Sequence, residues 1–130
     1  MDIDTIKFDG QGLVPAIAQD AETGDILMFA WMNKDSLRMT LETGIMTYWS
    51  RSRQELWVKG KSSGNTQTVV EAFVDCDADV LLFKVDQQGL QAACHTGRRS
   101  CFYRKINPED GSFTIISEPV FDPGDVYGKK

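Results

Sequence analysis

Val14-Pro15-Ala16-Ile17-Ala18-Gln19 and Ile26-Leu27-Met28-Phe29-Ala30-Trp31-Met32, separated by Asp20-Ala21-Glu22-Thr23-Gly24-Asp25, form the stretch whose reading sets the fold class. Two short apolar runs flanking a turn-rich hexapeptide predict a β-hairpin, because neither run is long enough for a buried helix. Asn33 follows as a candidate N-cap. From Lys34 to Thr43, Leu37 and Leu41 fall at i and i+4 and Gly44 supplies a left-handed stop, so the spacing predicts a helix of about three turns. Downstream the pattern is β: Ile45–Ser50, Leu56–Lys59, Thr66–Cys76, Val80–Asp86, Leu90–Ala93, Cys101–Ile106 and Ser112–Ser117. Turn signals separate these runs at Lys61-Ser62-Ser63-Gly64-Asn65, Gln87-Gln88-Gly89 and Asn107-Pro108-Glu109-Asp110-Gly111. The expectation is a β-rich α+β single domain with one main helix, spanning residues 1–119, followed by a tail at 120–130 with no structure assigned to it.

The composition narrows the function. With 130 residues, one hydrophobic core is the norm. A net charge of −5 removes the uniform positive field that non-specific nucleic-acid coating needs. The longest apolar run, Ile26–Met32, is too short to cross a bilayer, and the aspartates of Met1–Gly10 stand where an export signal carries basic residues. A cytoplasmic location is expected, and there the three cysteines, 76, 94 and 101, remain thiols.

Charge is uneven along the chain. Between Thr47 and Gln67, Arg51, Arg53, Lys59 and Lys61 face a single acid, Glu55; between Asn107 and Asp125 there are five acids and no base. Such a basic block reads either as a solvated face or as a binding surface. Tyr48, Trp49 and Trp57 interleave with the cations and with Ser50, Ser52, Ser62, Ser63, Gly64 and Asn65. That mixture of stacking rings, cations and a glycine turn suits a phosphorylated heteroaromatic ligand, with at least one tryptophan also open to a core role.

The chemistry-bearing run is Val74-Asp75-Cys76-Asp77-Ala78-Asp79, followed by Cys94-His95-Thr96-Gly97-Arg98-Arg99-Ser100-Cys101. In an extended segment Asp75, Asp77 and Asp79 project to one face and Cys76 to the other. Alternate Cα atoms of a strand are roughly 7 Å apart, so one small ion reaches all three carboxylates only through a bend, a bulge or bridging waters. The run is read either as a magnesium-type oxygen site or as an exposed acidic turn. An EF-hand is excluded, since its sixth loop position requires glycine and here holds Val80. The cysteines lack the paired C-x-x-C spacing of a closed structural zinc site. Three ligands with one open position match catalytic zinc, while three buried reduced thiols stand as the alternative. Arg98 and Arg99 favour thiolates if they lie close, and His95 is a candidate ligand, proton carrier or orienting group.

With these residues in place, the sequence resembles the phosphoribosyl-AMP cyclohydrolases of histidine biosynthesis. The matching segments include Gly12-Leu13-Val14-Pro15-Ala16, Thr23-Gly24-Asp25-Ile26-Leu27-Met28, Ala30-Trp31-Met32-Asn33, Tyr48-Trp49-Ser50-Arg51-Ser52-Arg53, Leu56-Trp57-Val58-Lys59-Gly60, Ser63-Gly64-Asn65, Asp75-Cys76-Asp77-Ala78-Asp79, Ala93-Cys94-His95-Thr96-Gly97 and Ser100-Cys101-Phe102. The resemblance implies zinc on Cys76, Cys94 and Cys101, magnesium on Asp75, Asp77 and Asp79, and an intertwined homodimer whose zinc sites draw ligands from both subunits. Family members often carry a proline shortly before the second cysteine; Gly89-Leu90-Gln91-Ala92-Ala93 has none. The expected reaction is hydrolytic opening of the adenine ring of phosphoribosyl-AMP at the N1–C6 bond by a zinc-activated water. His95 is the candidate proton carrier, and Trp49, Arg51, Arg53, Lys59, Lys61, Ser63 and Asn65 are the candidate substrate contacts. The length leaves no room for the fused pyrophosphohydrolase domain found in some organisms, so a single activity is expected. The alternative is a non-catalytic nucleotide-binding protein with a structural zinc. A base deaminase is excluded, because its H-x-E and P-C-x-x-C signature is missing.

Overall fold

The expected hairpin lies at the centre of the fold. A computed structural model of the chain describes residues 2–61, 63–89 and 91–121. Strands β1 (Val14–Asp20) and β2 (Ile26–Met32) pair antiparallel from Val14 opposite Met32, with a bulge between Ala18 and Gln19. Helix α1 (Lys34–Thr43) follows directly. Asn33 caps it reciprocally: its side-chain oxygen accepts from the Ser36 N–H at 2.8 Å, and the Ser36 hydroxyl accepts from the Asn33 N–H at 2.9 Å. Gly44, at φ 76°, ends it by donating its N–H to the Thr40 carbonyl.

The expected Leu37/Leu41 stripe is only half correct. Leu37 is buried, but Leu41 is 45% exposed, and the helix turns Ser36 and Thr40 inward instead. Thr40 can be buried because its hydroxyl is satisfied twice: it accepts from the Thr47 N–H at 2.9 Å and donates to the Ser36 carbonyl at 2.8 Å.

The remaining strands are β3 (Thr47–Ser50), β4 (Glu55–Val58), β5 (Gln67–Val74), β6 (Leu81–Gln87), β7 (Arg104–Ile106) and β8 (Phe113–Ile115). Six form one sheet in the order β4-β3-β2-β1-β6-β5, in which β1 and β6 are parallel and every other pair is antiparallel; β7 and β8 form a separate ribbon. Period-two burial explains the centre. Val14, Ala16, Ala18 and Asp20 of β1 point inward beside Leu81, Phe83, Val85 and Gln87 of β6, and Leu27, Met32, Met46 and Tyr48 complete the core. The sheet curls. Although β5 lies at one edge, its first residues also bond the segment just before β3, through Met46 N–H to the Gln67 carbonyl and Val69 N–H to the Gly44 carbonyl. That curl brings Tyr48, Lys59 and Gln67 into one neighbourhood.

Two strand expectations fail. Residues 91–93 form no strand: Gln91 sits at φ 63°, a bend incompatible with a ladder, and Leu90 lies outside the described residues. The acidic run is not extended either. Strand β5 ends at Val74, and Asp75–Asp79 is a turn with Ala78 at φ 60°, closed by Ala78 N–H to the Asp75 carbonyl and Asp75 N–H to the Val80 carbonyl. Ser62 and residues 122–130, most of the expected tail, also fall outside the described residues.

Candidate functional site

Cys94 and Cys101 are brought together by a loop folded onto the β1–β2 hairpin. The Cys94 N–H donates to the Arg98 carbonyl at 3.1 Å and the Gly97 N–H to the Cys94 carbonyl at 3.0 Å, making a tight turn at one end. At the other end, the Ser100 hydroxyl donates to the Ile26 carbonyl and the Cys101 N–H to the Leu27 carbonyl, both at 2.7 Å. Gly97 is obligatory in this turn. It lies at φ 88°, and a Cβ there would overlap the Phe121 carbonyl oxygen, while the Val120 N–H donates to the Gly97 carbonyl at 2.7 Å.

Cys94 is buried and Cys101 keeps an exposed edge. Desolvation of the Cys101 sulfur, then the charge and hydrogen bond of the adjacent Cys94 sulfur, push its pKa up to about 12, against the pull of Lys59. Lys59, only 6% exposed, is the cation that faces these sulfurs. Burial pushes its pKa down, and the Cys101 and Cys94 sulfurs oppose that shift. Thr96 adds a hydroxyl donor to the Cys94 sulfur at 3.1 Å.

Arg98 and Arg99, which would favour the thiolates if they lay close, have other partners. Arg98 donates to the Ser117 carbonyl at 2.8 Å and stacks over Tyr103 at 4.0 Å, whereas Arg99 is taken up by Asp20 and Asp25. His95 is exposed in the turn beside Cys94.

The third cysteine lies elsewhere. Cys76 is exposed on the acidic turn and does not form a three-residue donor cluster with Cys94 and Cys101 among the described residues. The donor set fits zinc as far as it goes: two soft sulfur ligands held side by side, with a third on a separate surface. The acidic turn fits a hard divalent cation. Carboxylate oxygens of Asp75, Asp77 and Asp79 lie within 4.8 Å of one another, all exposed, so the bend supplies the convergence that a straight strand denies them. Their mutual repulsion is visible. Hydrogen bonds from the Asp79 and Val80 N–H groups hold the Asp75 carboxyl below its ordinary range, whereas desolvation and the Asp75 charge raise that of Asp79.

Trp49 and Arg51 meet at a third place, a cavity of about 900 Å³ also lined by Gln11, Leu13, Asn33, Ser52 and Gln54. Arg51 stacks over Trp31 with its guanidinium 4.9 Å from the ring centroid. Arg53 and Lys61 are exposed outside this lining, and Ser63 and Asn65 belong to the turn between β4 and β5. Trp57 packs its ring 5.1 Å from that of Tyr48, which is the fully buried aromatic of the segment.

That turn is fixed from inside the core. Tyr48 donates its hydroxyl to Gln67 Oε1 at 2.8 Å, Gln67 Nε2 donates to Gln87 Oε1 at 3.0 Å, and Gln87 Nε2 donates to the Asn65 carbonyl at 2.9 Å. Tyr48, Gln67, Gln87 and Asn65 are all essentially inaccessible to solvent. Burial, then the charge of Cys101, pushes the Tyr48 pKa up, keeping the phenol a donor. Gly60 closes the turn at φ 81°, where a Cβ would overlap the backbone of Asn65 and Thr66. Sequence reasoning missed the two glutamines, Thr96, and the cavity residues Gln11, Leu13, Asn33 and Gln54. Only Thr96 had a local signal, its place between His95 and Gly97.

Comparison with known proteins gives a consistent result. A family model described as phosphoribosyl-AMP cyclohydrolase matches residues 28–103. A protein of that name from Chlorobium phaeovibrioides is 59% identical over 128 residues, covering 98% of this chain and 91% of its own length. Its counterpart in Methanococcoides burtonii is 57% identical over 127 residues, covering 98% and 99%. A third, from Desulfatibacillum aliphaticivorans, is 62% identical over 118 residues, covering 91% and 92%.

Proposed function

Because the chain belongs to the phosphoribosyl-AMP cyclohydrolase family and is a hydrolase of that kind, we propose that it opens the adenine ring of phosphoribosyl-AMP at the N1–C6 bond within histidine biosynthesis. The observation that carries the mechanistic part is the pairing of Cys94 and Cys101 beside buried Lys59.

In the reaction, one water adds its oxygen to C6, the N1–C6 bond breaks, and N1 receives a proton, leaving a formamidine-linked imidazole carboxamide. Cys94 and Cys101 would hold zinc, with Cys76 of a second copy as the third ligand; this accounts for a Cys76 that stands apart within one chain and implies a homodimer. A zinc ion held by these cysteines would supply the acidification of a water that provides the attacking oxygen near neutral pH. Lys59 supplies positive charge beside the pair and opposes the desolvation and the Cys94 charge that raise the Cys101 pKa. Thr96 orients the Cys94 sulfur by its hydrogen bond. His95, exposed beside Cys94, would carry the proton to N1.

Trp49 offers a ring face to the purine, and Arg51 a guanidinium to a phosphate, at the walls of one cavity. Arg53, Lys61 and Ser63 serve the second phosphate from the neighbouring turns, while buried Asn65, expected as a further contact, acts by holding its turn in place. Asp75, Asp77 and Asp79 would hold magnesium, which lessens the repulsion between those carboxylates and the phosphates. Residues 1–119 form the catalytic unit, working in the cytoplasm. No described helix is long and apolar enough to cross a membrane.

The test is an ultraviolet absorbance assay of the purified protein with phosphoribosyl-AMP, magnesium and trace zinc. Ring opening is expected. A folded, zinc-loaded dimer without turnover would overturn the reading in favour of nucleotide binding alone.

A further inference from the structure

Between the two site cysteines, Arg99 reaches 79 residues back along the chain. Its Nη2 donates to Asp20 Oδ2 at 2.6 Å and to the Thr23 hydroxyl at 3.0 Å, and its Nε lies 3.4 Å from Asp25 Oδ2. Asp20 is itself fixed. It is 7% exposed at the end of β1, and its other oxygen accepts from the Glu22 and Thr23 N–H groups at 2.7 and 3.0 Å.

The backbone of the same loop turns on this residue. The Arg99 carbonyl accepts the Ala93 N–H at 3.0 Å, the preceding carbonyl accepts the Cys94 N–H, and Ser100 and Cys101 bond the first residues of β2. One guanidinium thus ties both cysteine-bearing ends of the loop to the hairpin turn. Arg98 adds one charged hydrogen bond, to the Ser117 carbonyl, and the other fastenings are neutral; among the described residues Arg99 is the one anchor of the loop that is ion-paired and multiply bonded.

We infer that Arg99, held by Asp20, is a positioning residue that presets the spacing of the Cys94 and Cys101 sulfurs for metal binding. The inference rests on the reading of those cysteines as zinc ligands. Arg99 touches neither sulfur nor substrate; it acts by keeping the loop in its competent conformation. Apparent affinity falls in proportion to the population of that conformation. The two carboxylates, the hydroxyl and the buried end of the ion pair call for arginine's planar fork, so lysine can replace only part of the anchor.

The experiment is competition between full-length protein and a chromophoric chelator for zinc, at a temperature where each variant is folded by circular dichroism, for wild type, Arg99→Gln, Arg99→Lys, Asp20→Asn, Cys94→Ser and Cys101→Ser. The Arg99→Gln and Asp20→Asn variants should bind zinc about 10- to 100-fold more weakly, the range usual for groups that orient a metal ligand, with Arg99→Lys intermediate. The Arg99→Gln/Asp20→Asn double variant should be no weaker than the worse single one. Wild-type zinc affinity in Arg99→Gln, with affinity lost in the cysteine variants, would overturn this inference alone, and a drop in melting temperature with no change in zinc affinity would reduce Arg99 to a structural role. Undiminished zinc binding by Cys94→Ser and Cys101→Ser would overturn the ligand assignment and this inference with it.

Discussion

Replacing Tyr48 with phenylalanine deletes one oxygen from the interior and breaks the first link of the Tyr48–Gln67–Gln87–Asn65 chain. Gln67 is fully buried, so its Oε1 loses the phenolic donor with no water to replace it. Leaving such an acceptor unsatisfied costs about 1–3 kcal/mol. Gln67→Leu should cost more, because it strands two groups at once, the Tyr48 hydroxyl and Gln87 Oε1. In the double variant the phenylalanine ring no longer presents a hydroxyl, so only Gln87 Oε1 remains stranded. The double variant should therefore be no less stable than Gln67→Leu alone, which corresponds to a coupling of about 1–3 kcal/mol between the sites. Urea unfolding at one fixed protein concentration, followed by tryptophan fluorescence, measures all four corners of the cycle. A Tyr48→Phe cost within about 0.5 kcal/mol of zero, or simple additivity in the double variant, would refute the reasoning.

Gly60→Ala should destabilise by more than about 2 kcal/mol, since it adds backbone overlap to an unfavourable φ, while Gly64→Ala, at the same φ of 81° but facing open space, should cost only about 1–2 kcal/mol; equal costs by urea unfolding would contradict this. Acid titration of stability should distinguish wild type from Asp20→Asn. Burial alone would raise the Asp20 pKa, but hydrogen bonds from Thr23, Arg99 and Glu22 outweigh it and leave it below 3.8. Its contribution is therefore present above that value and lost as pH falls below it, so the gap between the two proteins should close there, and parallel curves would exclude the effect. Cys94→Ser should lose zinc and turnover together, measured by metal analysis and the ring-opening assay; wild-type turnover would sink the zinc assignment. Arg51→Ala should raise KM about tenfold with kcat held, and a loss confined to kcat would assign the arginine to the transition state instead.

The features that sequence made legible were the local ones. The hairpin, the Asn33 cap and the Gly44 stop each depend on residues within a few positions, and the structure reproduces the β2 and helix bounds as expected. Chain similarity made the family equally legible. What escaped were consequences of distant partners. Leu41 lost the inward face to Thr40 because the Thr47 backbone offers that hydroxyl a donor, which helical periodicity ignores. The acidic run looks extended because D-x-D-x-D alternates, and a bend is the condition for its carboxylates to meet; Ala78 at φ 60° lies in that bend, at a residue no turn signal marks. Lys59, grouped by charge with the arginines, is instead the cation beside the thiols, while Arg98 and Arg99 are engaged elsewhere. The glutamines of the buried chain look like surface residues in sequence, and only the curl of β5 toward β3 places them inside.

The parallel pairing of β1 with β6 has a consequence for how the chain is made. Ala16 meets Leu81, sixty-five positions later, so the middle of the sheet stays open during synthesis until β6 has left the ribosome. Until then the hairpin presents one edge of β1, flanked by apolar side chains, with its backbone donors and acceptors unpaired. Such an edge is competent to pair with another nascent copy. Folding should therefore be limited by this one distant closure, as expected for non-local strand pairing, and yield on overexpression should depend on how fast β6 arrives relative to encounters between unfinished chains.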